Sequence, residues 1–369
     1  TMPKQSLRAA AESFLAKIER KSKGANVQHT HRSYKKAIQD FFAVVEHRAK
    51  IQVAKTPAAQ VETDWIVWYI EALQDKSVSP ATEQARLAAV RGFYKHLSLI
   101  VPEINLTRLE ALVNNYKRPL PQNEVLTTDE DVEKVMQWAW DCLHKPFRSR
   151  WEKLRAYRNR AFLVLLADTG LRVSEACRLR SSHLAQVSPR NLQFTLKIKG
   201  GREAVIRLSK NAWNAIRAYH RVRAELDAKS GLKPEQLPVF AQHSRLADLR
   251  AKRKRKTALL RPWTEGGARQ MLEQANKDVF GEDYRLADPD AADGEKRRKK
   301  VLRGRVTPHG LRRYFVRRIY NRHHDLRKAQ LLARHRNMTT TQRYIGTTDI
   351  EMEEAYRDAI DSAGKGDLE

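Results

Sequence analysis

The stretch "NRAFLVLLADTGLRVSEACRLR", residues 159–180, decides how the chain folds around it. From Ala161 to Ala167 every residue is apolar, so a helix here has no polar face and must lie inside a core. Gly170 supplies its stop. Arg172 comes directly after, opening a second helical segment whose apolar residues are Val173, Ala176 and Leu179. A guanidinium in that place can cap the segment and pair with Glu175, or offer a rigid fork to a phosphate. Local sequence leaves both open.

Working outward, "LQFTLKI" (192–198) alternates strictly, Gly200-Gly201 makes a turn, and "EAVIRL" (203–208) returns as a second strand. Lys199 and Arg202 stand at the tip of this hairpin. A lysine there is solvated by default, but a glycine-flanked tip can also enter a DNA groove. Helices resume around 210–228 and 264–277, separated by the basic tract "RAKRKRK" (250–256), with Lys252, Arg253, Lys254 and Arg255 at its centre. A second basic stretch lies in 282–305, read as a solvated loop or a DNA-contacting or partner-contacting insertion. Upstream, Pro119 and Pro121 hold residues 114–125 extended, and Thr127 with Glu130 forms a capping box for the next helix. A linker is placed at 114–125, between a helical domain over 1–113 and a second domain over 126–369. In the first domain, 7–50 and 61–100 read as helices of a bundle. One apolar face carries Trp65, Ile66, Tyr69, Ile70 and Leu73, and another carries Leu87, Val90, Tyr94 and Leu97. Arg86, Arg91 and Lys95 lie elsewhere on the latter helix, as a solvated face or as phosphate contacts.

Composition narrows the partner. The 369 residues hold 71 Lys and Arg against 43 Asp and Glu, a formal charge of +28. In a folded chain of this size that excess points to a polyanion, most commonly nucleic acid. No run of eighteen apolar residues and no apolar signal region is present, and the two cysteines, Cys142 and Cys177, make neither a metal spacing nor a disulfide framework. A cytoplasmic, nucleoid-associated protein without a membrane partner is the expectation.

Two further stretches carry chemistry. In "VTPHGLRRYFVRRIY" (306–320) the apolar stripe of Phe315, Val316 and Ile319 runs back through Arg312 to His309. An i, i+3 pair points both groups at one ligand. No carboxylate or cysteine completes a metal site, and no acidic residue stands near Arg312 in sequence, so an external oxyanion fits better. In "LLARHRNMTTTQRYIG" (331–346), His335 is followed by Tyr344, whose polar neighbours, Thr339 to Thr341 and Arg343, argue against deep burial.

Together, "TGLRVSE", "KIKGGREAVIRL", "PHGLRR" and "LLARHRNMTTTQRY" resemble, in order and spacing, the motif blocks of the tyrosine recombinases, also called phage integrases, and especially their Xer-like members. The resemblance covers the whole second half, and the first half is similar to the family's core-binding domain. It implies a mainly α fold with a small antiparallel β-sheet: an N-terminal helical, SAM-like bundle plus an α+β catalytic domain. It implies that Arg172 and Arg312 clamp the phosphate, Lys199 is the general acid, His309 and His335 bind the phosphate and help move protons, Tyr344 is the nucleophile and Glu175 supports the site. The pattern departs from the family at Arg334, where glycine is usual. The implied activity is site-specific strand exchange through a 3′-phosphotyrosyl intermediate and a Holliday junction, serving integration, excision or resolution of a DNA element. The implied partner is double-stranded DNA carrying recombination sites, bound by a dimer on one site and a homotetramer on two, with accessory bending or directionality factors. No cofactor is expected, neither metal nor ATP, since no Gly-x-x-x-x-Gly-Lys-Ser/Thr loop occurs. A helix over 349–363, with Met352, Tyr356 and Ile360 on one face, docks on a neighbouring protomer or on its own domain. The alternatives are a type IB topoisomerase-like nicking and resealing enzyme, a non-catalytic DNA-binding protein of the same fold, and an RNA-binding protein, which would lack any aromatic RNP-like motif.

Overall fold

The computed structural model describes residues 5–21, 27–119, 127–198, 201–243, 260–287 and 302–345. Lys199, the tract 250–256 and the helix expected over 349–363 lie outside these residues. The chain divides into two compact units, one built on Thr1–Asn123 and the other on most of the chain from Glu124 onward, Lys197–Arg202 and Ala287–Leu302 excepted.

The first unit is all helix: α1 (Leu7–Lys21), α2 (Val27–Ala49), α3 (Trp65–Asp75), α4 (Pro80–Leu97) and α5 (Leu106–Tyr116). The faces of α3 and α4 that the apolar spacing predicts are the buried ones. Their aromatic rings meet those of α2 edge-on, Tyr69 with Phe41 at 5.6 Å and Phe93 with Phe42 at 5.7 Å, an arrangement that adds to area burial. Each buried phenol finds an acceptor: Tyr69 donates to the Ala37 carbonyl at 3.2 Å and Tyr94 to that of Glu62 at 2.7 Å. Ser79 caps α4 ahead of Pro80, and Asn105 caps α5. Fully buried Glu83 accepts from the Arg118 amide at 2.9 Å and its Nε at 2.8 Å, which satisfies the carboxylate and fixes the chain just past α5.

The second unit forms around α7 (Arg150–Thr169), whose residues from Ala161 to Ala167 are all buried. Packed on it are α6 (Asp129–Asp141), α9 (Lys210–Ala228) and α11 (Pro308–His323), with α8 (Val173–Cys177) and α10 (Glu265–Phe280) alongside. The hairpin β1 (Gln193–Lys197) and β2 (Glu203–Arg207) buries Phe194, Leu196 and Ile206. After α11 come α12 (Leu326–Ala333) and α13 (Met338–Ile345). Among the described residues no helix is long and apolar enough to cross a membrane.

Three expectations change. Residues 114–116, expected in the extended linker, are the last turn of α5, because Leu109 and Val113 bury its face and the helix continues to Tyr116. The cap of α6 is Thr128, whose hydroxyl accepts from the Asp131 amide at 3.0 Å. Thr127 instead donates to the Arg305 carbonyl at 2.7 Å, because α11 passes directly over it. The ends of the 282–305 stretch are not loop: β3 (Arg285–Ala287) pairs with β4 (Leu302–Gly304).

Two glycines set how closely the motif blocks approach. Gly170 takes the left-handed conformation that stops α7, φ 58°, and a Cβ there would sit 2.4 Å from the Phe315 ring. Gly310 lies against Thr127, whose Oγ1 would stand 2.3 Å from an added Cβ. Beneath α7 a polar network is sealed in. Arg223, fully buried, reaches Asp227 at 2.8 Å and the Val239 carbonyl at 3.1 Å, while the Tyr219 hydroxyl meets His243 Nε2 at 2.7 Å. Burial, then the charge of Arg158, holds His243 down to about 2.

Substituting Gly170→Ala should lower stability by about 2 kcal/mol or more, from overpacking plus a left-handed alanine, as read by denaturant unfolding. His243 stays neutral when folded but takes a proton near pH 6.5 when unfolded, so stability falls as pH drops below that value. Replacing it with Asn should flatten the decline between about pH 6.5 and 4 by about 1.4 kcal/mol per pH unit.

Candidate active site

The end of α7 starts the site. After the left-handed Gly170, Arg172 becomes the N-cap of α8, and its backbone amide donates to Glu175 Oε2 at 2.9 Å. The guanidinium of Arg172 meets Glu175 Oε1 at 3.0 Å and is 36% exposed, so one carboxylate aims it while part of it faces outward. Burial alone would raise the Glu175 pKa, but the Arg172 amide, the Arg172 charge and the Arg312 charge outweigh it and hold the carboxyl below its usual range.

The opposite wall comes from α11. Thr307 caps it, accepting from the Gly310 amide at 2.9 Å, and Pro308 fills its first position. His309 then stands exposed in the first turn and Arg312 lies on the floor, 2% exposed. Arg312 donates from Nη1 to the Gly170 carbonyl and from Nη2 to the Ala333 carbonyl. The acid that faces it, Glu175, is remote in sequence, which is why no partner stands near Arg312 in the chain. The Arg317 side chain clasps Asp129, with Nε on Oδ1 at 2.9 Å, and donates to the Thr127 carbonyl at 2.9 Å, tying α11 to the start of α6.

The third wall is the turn from α12 to α13. The His335 amide donates to the Gln330 carbonyl at 3.1 Å, closing the helix end in a Schellman arrangement, and Gln330 Nε2 donates back to the His335 carbonyl at 3.3 Å. The left-handed residue of this end is Arg334, φ 59°. That conformation accounts for glycine as the usual occupant. His335 Nδ1 lies 2.9 Å from Thr341 Oγ1. Burial, then the charges of Arg312, Arg172, Arg334 and His309, push the imidazole down to about 3, so it is neutral at physiological pH. Thr341 is fully buried, and its hydroxyl is satisfied by His335.

Arg172, Glu175, His309, Arg312 and His335 are therefore brought together, two guanidiniums, an exposed histidine and a neutral imidazole around one carboxylate, a site that favours an anion. Of the residues expected to touch DNA, Arg86 pairs with Asp40 at 3.2 Å and Arg91 with Glu110 at 3.0 Å, whereas Lys95 and Arg202 are exposed. Among the described residues no three His, Cys, Asp or Glu side chains gather to hold a metal ion. Sequence reasoning missed Thr341 and Gln330.

Known proteins share both halves. The phage integrase family matches residues 127–350, and the phage integrase N-terminal SAM-like domain matches residues 12–99. The tyrosine recombinase XerC of Myxococcus xanthus is 25% identical over 362 residues, covering 96% of this chain and 98% of its own. A XerD recombinase of Brucella melitensis is 25% identical over 336 residues, covering 91% of each chain. In fold, the chain is similar to the XerH site-specific recombinase bound to a palindromic difH substrate, with a TM-score of 0.62, 14% identity and 97% of both chains covered. It is also similar to the Tn1549 transposon integrase in complex with transposon right end DNA, with a TM-score of 0.57, 13% identity and coverage of 95% and 99%. With both domains matched in order, this chain belongs to the phage integrase family of tyrosine recombinases.

Proposed function

We propose that this protein is a site-specific DNA recombinase that cleaves one strand at a time with Tyr344 and rejoins it to a partner strand. The observation that carries the reading is the gathering of Arg172, Arg312 and neutral His335 around Glu175, from three separate motif blocks, the first of them far from the other two in the chain.

A phosphodiester gains negative charge at its non-bridging oxygens as a nucleophile arrives. Fixed cations aimed at that charge stabilise the transition state without reorganising, and removing one such donor typically costs about 3 kcal/mol. Arg172 offers its open edge to those oxygens from one side, with Arg312 and His309 opposite. His335, kept neutral and fixed through Nδ1 by Thr341, handles a proton through Nε2. A free phenol has a pKa of about 10, and the cationic surroundings favour its anion. Tyr344 Oη attacks phosphorus while the P–O bond to the sugar's 5′ oxygen breaks. Lys199, by its place in the family pattern, gives that oxygen its proton. The resulting 3′-phosphotyrosyl ester keeps the energy of the broken bond, so a 5′ hydroxyl from a second duplex reseals it, passing through a Holliday junction. These charges and protons come from side chains, and the reaction as written calls for neither ATP nor a metal. Two sites brought together by four protomers, with a dimer on each, supply the partner strand. Arg202 and the tract Lys252–Arg255, by the sequence reading, meet the DNA backbone.

The test is covalent capture on a nicked suicide duplex drawn from the DNA flanking the gene. Wild type should form a protein–DNA adduct. Tyr344→Phe should bind but form none, and Arg172→Ala and Arg312→Ala should each slow adduct formation by about a hundredfold. An adduct with Tyr344→Phe would assign the nucleophile elsewhere, and relaxation of plasmids lacking any site would favour a topoisomerase. Neutralising Lys252, Arg253, Lys254 and Arg255 should flatten the salt dependence of DNA affinity by about 0.9 in log–log slope per lost phosphate contact.

A further inference from the structure

We propose that Arg334 is a positioning residue of the anion site, its guanidinium duplicating the clasp of Arg312 so that the turn bearing His335 is held against the Arg172 segment. This role rests on the recombinase reading of the site. Arg334 Nη2 donates to the Thr169 carbonyl at 2.9 Å and Nη1 to the Leu332 carbonyl at 3.0 Å. Arg312 donates to the carbonyls of Gly170 and Ala333. Two successive carbonyls closing α7 and two closing α12 are thus bridged by two guanidiniums side by side, each taking one from either helix. Helix C-termini carry partial negative charge, so each bridge also places a cation where the backbone favours one.

The backbone supports the assignment. Arg334 sits at φ 59°, where glycine would be unstrained. A side chain retained in that conformation must contribute something that glycine does not, and the bridge from α12 to Thr169 is that contribution. The charged groups around it are Arg312 and Arg172 on one side of the balance and Glu175 on the other. Burial and the two neighbouring cations bring Arg334 itself down to about 10, still charged at neutral pH. Its positive charge also acts on His335, alongside those of Arg312, Arg172 and His309.

The experiment compares wild type with Arg334→Gly and Arg334→Lys in the full chain, using histidine-selective 15N labelling and single-turnover adduct formation on the nicked duplex. In wild type, His335 held against Thr341 should show one tautomer, seen as a widely separated pair of ring nitrogen signals. In Arg334→Gly the pair should draw together as tautomers average, with adduct formation slowed about tenfold or more, the scale of a misplaced catalytic group. Arg334→Lys, which restores one carbonyl bond and the charge, should fall between. The signals of His243, remote from the clasp, should stay unchanged and report an intact fold. If glycine does not fold, Arg334→Asn, which also accepts the left-handed conformation, takes its place. An unchanged His335 pair in the glycine variant, or an unchanged rate, overturns the proposal. Absence of any adduct in wild type would instead sink the recombinase reading, and the tautomer comparison would still decide the role of Arg334.

Discussion

The second unit depends on one buried guanidinium. Arg312 spans from the carbonyl that ends α7 to the carbonyl that ends α12, and it rests on α11 while doing so. Two consecutive helices, α11 and α12, are joined at that point to α7, which lies far from both in the chain. A buried charge is tolerated only when its hydrogen bonds are made, and here helix-end carbonyls, already short of partners, make them. The same placement puts a fixed cation at the meeting point of the three segments. Architecture and electrostatics of the site are one arrangement.

Around that point each neighbour has a defined duty. Glu175 restrains Arg172 without cancelling the surplus of positive charge, because one carboxylate faces the charges of both Arg172 and Arg312. Thr341 sets the orientation of His335, and Gln330 holds the backbone of the same residue from both sides. The imidazole stays neutral because water is excluded and cations surround it, both disfavouring protonation. A histidine in that state can accept or release a proton through one chosen nitrogen.

Much of this was legible in the chain. The all-apolar run before Gly170 gave away a central helix, and strict alternation gave away the hairpin, since both periods reflect burial directly. The residues around the anion site were legible because their motif blocks are dense and ordered. What stayed hidden depends on contacts across the fold. Thr127 and Thr128 are equivalent as capping candidates until α11 is laid over the first of them. The short strands β3 and β4 are separated by charged residues with no alternation, so only their pairing reveals them. Nothing in the sequence singles out Thr341, since its burial depends on the histidine its hydroxyl meets across the α12–α13 turn. Arg86 and Arg91 looked like cations available to phosphate, and their acidic partners come from other helices of the bundle.

The seating of Gly310 on Thr127 reaches beyond this molecule. With an added Cβ only 2.3 Å from the hydroxyl oxygen, the two positions share a single allotment of space. Over evolutionary time they are bound to change jointly: a descendant that enlarges residue 310 must shrink residue 127. Serine is no escape, because it retains the oxygen that is in the way. The glycine of the second arginine block is thereby held in place by a threonine on the far side of the domain's primary structure, through volume alone.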